Sequence, residues 1–230
     1  MFKKFGMMLL AACFLLPIKA QAADQIGVYV APKFALNIQH FKGVGIDFEG
    51  DKMDGADSKN SARAGGALAI GYDFSKKFDI PVRAEIEYGA YGNASQQLGF
   101  SDAEVGDSMS MEQTVGFQTL LANVYWDITT WNKFTPYVGA GIGMAFVKTE
   151  TDYAYTSTEE SESGSFSDTE TVFASQVGFG CSYAFNDYIS ADLGYRFLIM
   201  DDAEASSPDM TMKSEDLHAH QITLGLRVTF

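Results

Sequence analysis

The chain has 230 residues, 47% of them hydrophobic, with a formal net charge of −14 and two cysteines. A chain this acidic does not seek nucleic acid, which is held by clustered Lys and Arg. With so few cysteines, no network of disulfides holds the fold together.

Export is written at the start. Lys3 and Lys4 precede the apolar stretch GMMLLAACFLLPI, and Ala20-Gln21-Ala22 offers the small-x-small pattern that signal peptidase reads. Cleavage after Ala22 is expected, giving a signal peptide at 1–22 and a mature domain at 23–230. The apolar stretch is shorter than the roughly 20 residues of a permanent membrane helix. Leu10-Ala11-Ala12-Cys13 resembles a lipoprotein box. The apolar core runs on through Phe14-Leu15-Leu16, however, to a better cleavage site, which argues against a lipidated Cys13. Loss of Lys3, Lys4 and Lys19 takes the charge from −14 to −17 and leaves Cys181 alone, so no internal disulfide forms. Nothing later in the chain is a helical membrane span.

Eight segments then alternate apolar and polar residues with the period of a strand. They run, in order, over 26–39, 65–74, 80–91, 113–128, 135–146, 172–185, 188–198 and 219–230. The fourth is regular from Leu120 to Ile128, but Val115 and Phe117 fall on the other parity, which suggests a bulge. The fifth reads TPYVGAGIGMAF. Its glycines recur every second residue, so they share a strand face and do not form the G-x-G-x-x-G loop of a dinucleotide site. No comparable stretch carries a 3.6-residue period. The chain is expected to be all-β.

Short connections at 75–79, 129–133 and 186–187 alternate with long ones at 40–64, 92–112, 148–171 and 199–218. In an up-and-down barrel this puts every long loop at one end, as outer-membrane barrels do. One face of the segments is apolar. The other carries Lys33, Asp73, Arg83, Glu85, Glu87, Asp127, Asp192, Arg196 and Arg227, together with Gly139, Gly141, Gly143, Gly178, Gly180 and Gly194. A soluble lipocalin-like carrier would bury the apolar face; a membrane barrel turns it to lipid. The crowded glycines, the aromatics near the short turns and the closing row Ile222-x-Leu224-x-Leu226-x-Val228-x-Phe230 favour the membrane barrel. The interior charges are then expected to form an ion-pair network, with Arg83, Arg196 and Arg227 braced by Glu85, Glu87 and Asp192. Lys33 belongs to the same set, while Asp73 and Asp127 are expected to be wet at the turn end.

TPYVGAGIGMAF, SYAFNDYISADLGYRF and HQITLGLRVTF resemble the opacity-type surface antigens and the OmpA-type transmembrane domain. The resemblance implies an eight-stranded antiparallel up-and-down transmembrane β-barrel in a Gram-negative outer membrane. It implies outer-membrane lipid as a partner and assembly machinery that recognises Phe230. Unlike OmpA, the sequence ends at the eighth strand, without a periplasmic domain.

The long loops hold 22 of the 30 acidic residues, and 150–170 has the Ser-, Thr- and Glu-rich composition of mobile chain. Asp47, Glu49, Asp51, Asp54 and Asp57 do not match a calcium loop. His218-Ala219-His220 places two imidazoles on one face, without an evident third zinc ligand or a serine for them to activate. No catalytic residue, metal or cofactor is therefore assigned. The expected function is a non-enzymatic surface protein for envelope integrity or adhesion, whose loops meet a host-surface or other extracellular ligand. A small pore is the alternative, and a lipid-modifying enzyme comes third.

Overall fold

The computed structural model describes residues 26–40, 44–48, 51–55, 60–102, 107–156, 161–201, 203–207, 210–214 and 218–230. The expected signal peptide lies outside them. Eight long strands make the wall: β1 (Val28–His40), β4 (Asn60–Asp73), β5 (Val82–Tyr91), β7 (Asp107–Asp127), β8 (Phe134–Thr156), β9 (Ser161–Ala184), β10 (Ile189–Met200) and β13 (His218–Thr229). Each pairs antiparallel with its neighbours in the order β5-β4-β1-β13-β10-β9-β8-β7, and a β5–β7 pairing closes the ring. Closure removes every free edge along the membrane level, which lipid demands because it offers no hydrogen bonds. Among the described residues no helix is long and apolar enough to cross a membrane.

The faces follow the alternation. Ile142 and Leu193 are 61% and 58% exposed, while Arg83 and Glu87 are 3% and 0% exposed. This inversion of a soluble protein overturns the lipocalin-like alternative, because the charged face is the buried one.

The short connections are tight. Residues 75–78 form a single helical turn, α1 (Ser75–Phe78), closed by Asp79 at φ 56°. Asn132 takes φ 57° in the second turn. In the third, the Asn186 side-chain oxygen accepts from the backbone N–H groups of Tyr188 and Ile189 at 2.9 and 2.8 Å.

Two expectations change. The suggested bulge is absent from β7, whose register with β8 runs without slip from Ser108↔Thr156 to Asp127↔Tyr137. The irregularity lies on its partner. Ala90 stands opposite Gln118, and Ala94, the first residue of β6 (Ala94–Asp102), stands opposite Val115. Residues 91–93 therefore face only 116 and 117, and the extra residue sits between β5 and β6. The supposed loops at 92–112 and 148–171 are also largely strand. The β6–β7 ladder reaches Asp102↔Asp107 and the β8–β9 ladder reaches Thr156↔Ser161. Their composition cannot bury a core, but a ladder needs none. Each added residue pairs its backbone onto a strand already fixed in the wall.

The first and last loops contain β2 (Val44–Phe48), β3 (Asp51–Gly55), β11 (Ala203–Ser207) and β12 (Met210–Ser214). These form a second sheet in the order β11-β12-β2-β3. The side chains of the acidic set from Asp47 to Asp57 lie outside the described ones.

Candidate functional site

The odd-numbered positions of β1, β5, β7 and β8 turn inward together, and the turn-side half of the barrel fills with charge. Glu87 accepts from Lys33 Nζ and from Arg196 Nη1, each at 2.6 Å, and is fully buried. Lys33 also pairs with Glu85. Glu85 accepts from the Tyr29 hydroxyl at 3.1 Å, the Tyr125 hydroxyl at 2.9 Å and Asn123 Nδ2 at 3.3 Å. Gln176 Nε2 donates to Asn123 Oδ1 at 2.6 Å, extending the chain across the barrel.

Nearer the turns, Arg83 grips Asp127 through Nε at 3.0 Å and Nη2 at 2.7 Å, so Asp127 is a structural partner and not merely wet. Arg83 and Arg227 reach Asp192 only at 3.9 and 3.7 Å. The Ser182 hydroxyl bridges instead, donating to Asp192 at 2.6 Å and accepting from Arg227 Nη2 at 2.8 Å. Asp73 stands apart. Although it is buried, it accepts from the Ser75 N–H at 3.0 Å and the Ser75 hydroxyl at 2.6 Å, which pins the first turn. Apart from Asp73 the set holds four cations and four anions, the balance that a water-poor interior requires.

Three tyrosines that the charge pattern leaves unmarked complete this region. The Arg83 guanidinium lies 4.8 Å from the Tyr137 ring centre and 5.2 Å from that of Tyr125, and Arg227 lies 5.6 Å from that of Tyr29. Each ring has room because a glycine stands opposite it on the next strand: Tyr29↔Gly71, Tyr125↔Gly139 and Tyr137↔Gly180. A Cβ on Gly139 would meet the Tyr125 ring, and one on Gly180 would meet the Tyr137 hydroxyl. The other inward glycines serve similarly. Gly141 faces Asn123, Gly143 faces Leu121, Gly178 faces Arg196, and Gly194 lies within reach of Thr223 and Tyr137. The available signal was parity together with register, and register is not visible in one sequence.

Toward the loops the chemistry changes. Phe117, Leu121, Ala145, Val147, Val172, Ala174, Leu198 and Met200 form an apolar layer closed by Ala35, Ala219 and Tyr91, with Tyr91 stacked on Phe117 at 4.6 Å. Between the strands of the charged half lies a cavity of about 30 Å³, room for about two waters. Gln176, Arg196 and Arg227 border it.

On the outer wall, aromatics gather near both membrane levels. Tyr72, Phe74 and Phe78 cluster by the turns, as do Phe134, Tyr183 and Phe185. At the loop end Phe197 lies 5.0 Å from His220 and 5.6 Å from His218, and the Tyr195 hydroxyl pairs with His220 Nδ1 at 2.5 Å. Both histidines share the outward row of Ile222 and Leu224, on the wall and not in a cleft. Among the described residues, no three His, Cys, Asp or Glu side chains come together as a metal set. Phe230 is held at the seam: its N–H donates to the Val28 carbonyl at 2.8 Å, and its carbonyl accepts from Gly27 at 3.1 Å.

A family model described as "Outer membrane protein beta-barrel domain" matches residues 8–230. The outer membrane protein PagN of Salmonella typhimurium is 29% identical over 185 residues, covering 78% of this chain and 77% of that one. A Rickettsia felis protein named "Putative adhesin" is 26% identical over 189 residues, covering 78% and 80%. Among solved structures, outer membrane protein OprG from Pseudomonas aeruginosa aligns at TM-score 0.48 and 18% identity, over 89% of this chain and 97% of that one.

Proposed function

The chain belongs to the outer membrane protein β-barrel domain family, and from that premise we propose a non-enzymatic surface protein that holds paired acidic hairpins outside the cell for adhesion and contributes to envelope integrity. The observation that carries this reading is the continuity of the wall. β8 and β9 pass without a break from membrane level to Thr156↔Ser161, so the binding elements are extensions of a rigid scaffold. The relative named as an adhesin supports the same class. The four outer connections hold 22 acidic residues against 6 basic ones, a net −16, so their ligand is a cationic or neutral surface and not a polyanion.

The filled interior weighs against a pore, and the outward placement of His218 and His220 against a catalytic cleft. Outer-membrane lipid covers the apolar wall. The assembly machinery reads the last strand through Phe230.

The test is adhesion to cultured epithelial cells by a non-adherent bacterium that expresses the full chain. A variant with 97–112 and 152–165 each replaced by a tight turn should adhere like the vector control while keeping its heat-dependent gel shift. Undiminished adhesion by that folded variant sinks the reading. Conductance steps from the wild-type barrel in a planar bilayer would favour the pore instead.

A further inference from the structure

Where β5 gives way to β6, the outer wall carries a notch of about 100 Å³. Residues 91–93 leave the ladder there, and β7 presents Gly116, bare of side chain, between Thr114 and Gln118. These positions have the outward parity of β7, and across β8 they stand opposite Glu150, Lys148 and Phe146. The departing chain is pinned: the Gly92 N–H donates to the Ala64 carbonyl at 3.0 Å, and Arg63 Nε donates to the Asn93 carbonyl at 2.8 Å. Asn93 then lies over Gly116, where a Cβ would come 2.3 Å from its side-chain oxygen. Irregularities of this kind gather at barrel rims and beside sites. We propose that this notch holds the sugar headgroup of an outer-leaflet glycolipid. The proposal draws on the outer-membrane placement alone and is independent of adhesion.

Level, chemistry and size point to that occupant. On β8 the outward row runs from the lipid-facing Ile142 and Met144 through Phe146 to the charged Lys148 and Glu150, so the notch straddles the line where hydrocarbon ends on the loop side. Lys148 and Glu150 pair at 2.5 Å, which leaves the notch without net charge. Gln118 Oε1 accepts from the Tyr88 hydroxyl at 2.6 Å, so its amide nitrogen is the end with hydrogens to give. The Asn93 amide and the Thr114 hydroxyl add both donors and acceptors. A neutral set of this kind fits hydroxyls, each of which donates and accepts, whereas a phosphate calls for cations that no carboxylate opposes. Phe146, with the stacked Tyr91 and Phe117 behind, offers an apolar surface to the C–H face of a ring. The volume holds roughly seven to ten waters, about the bulk of one hexose.

The full chain, refolded in the sugar-free detergent dodecylphosphocholine, would be titrated with lipid A, a phosphorylated glucosamine disaccharide lipid. Binding is read from the side-chain amide signals of Asn93 and Gln118 in nitrogen-15 NMR. Saturable shifts of both are expected. Dephosphorylated lipid A should bind within about 3-fold of lipid A, and phosphatidylglycerol, anionic but without a sugar, at least about 10-fold more weakly, the worth of one or two hydrogen bonds. Gln118→Ala should weaken lipid A binding about 5-fold through one lost bond. Ala90→Trp, which fills the notch from β5, should abolish it. The heat-dependent gel shift would verify that both variants are folded. The site is refuted if lipid A gives no saturable shift, if phosphatidylglycerol binds as well, or if folded Ala90→Trp binds as the wild type does. Free glucosamine binding as tightly as the lipid would overturn the membrane source of the sugar.

Discussion

Toward the turns the barrel is filled with charge, and toward the loops it is filled mainly with hydrocarbon, with the uncharged Thr119 and Thr151 buried on the same parity. The same inward parity of the same strands supplies both. Glu87 and Leu121 stand directly opposite each other where the two fillings meet. In the charged half each ion has a partner within reach, and tyrosine rings shield the guanidinium groups of Arg83 and Arg227. In the apolar half, Leu121 and Leu198 are almost fully buried with no polar duty. The difference teaches that the ion pairs are no substitute for a core. Paired charges in a water-poor interior roughly repay their own desolvation, and the apolar layer above them keeps water from competing for those pairs.

That contrast can be broken from either side. The largest effect is expected from Glu87→Gln, which takes the ion-pair partner from the buried Arg196 and leaves Lys33 with Glu85 alone. The loss should be about 3–5 kcal/mol in denaturant unfolding from micelles, followed by the fluorescence of Trp126 and Trp131. Adding Arg196→Met to Glu87→Met should cost less than the sum of the two single changes, and simple additivity would show that the pair is not coupled. On the apolar side, Leu121→Ala should cost about 2–4 kcal/mol through its cavity, and a loss below about 1 would mean the layer collapses freely.

Filling a glycine tests the fit between the halves. Gly180→Ala brings a methyl against the Leu193 carbonyl and the Tyr137 hydroxyl, for about 1–3 kcal/mol. A neutral result there would remove the tyrosine-over-glycine account. The smallest effect belongs outside both halves. Lys148 and Glu150 pair at 2.5 Å in the open, and Lys148→Ala should change stability by less than about 0.5 kcal/mol in the same unfolding assay.

Much of the wall was legible, since a side-chain period of two is a local property of consecutive residues. The inward set from Lys33 to Arg227, the row ending at Phe230 and the alternation of short and long connections are all read along the chain. The partners within the inward set were harder. Arg83 pairs with Asp127, 44 positions away, and Arg196 with Glu87, 109 positions away. Tyr29, Tyr125 and Tyr137 lie on the charged parity but carry no formal charge, so only the glycines opposite them reveal their place. The irregularity at Val115 and Phe117 was visible, but its cause sits on another strand.

Alternation by itself determined that this chain makes strands with one oily and one polar face, because that is fixed by backbone geometry and residue order. Only the tertiary structure decided which glycine receives which ring and which carboxylate holds which cation. Those depend on register and ring closure, where a shift of one residue would turn every side chain to the other face.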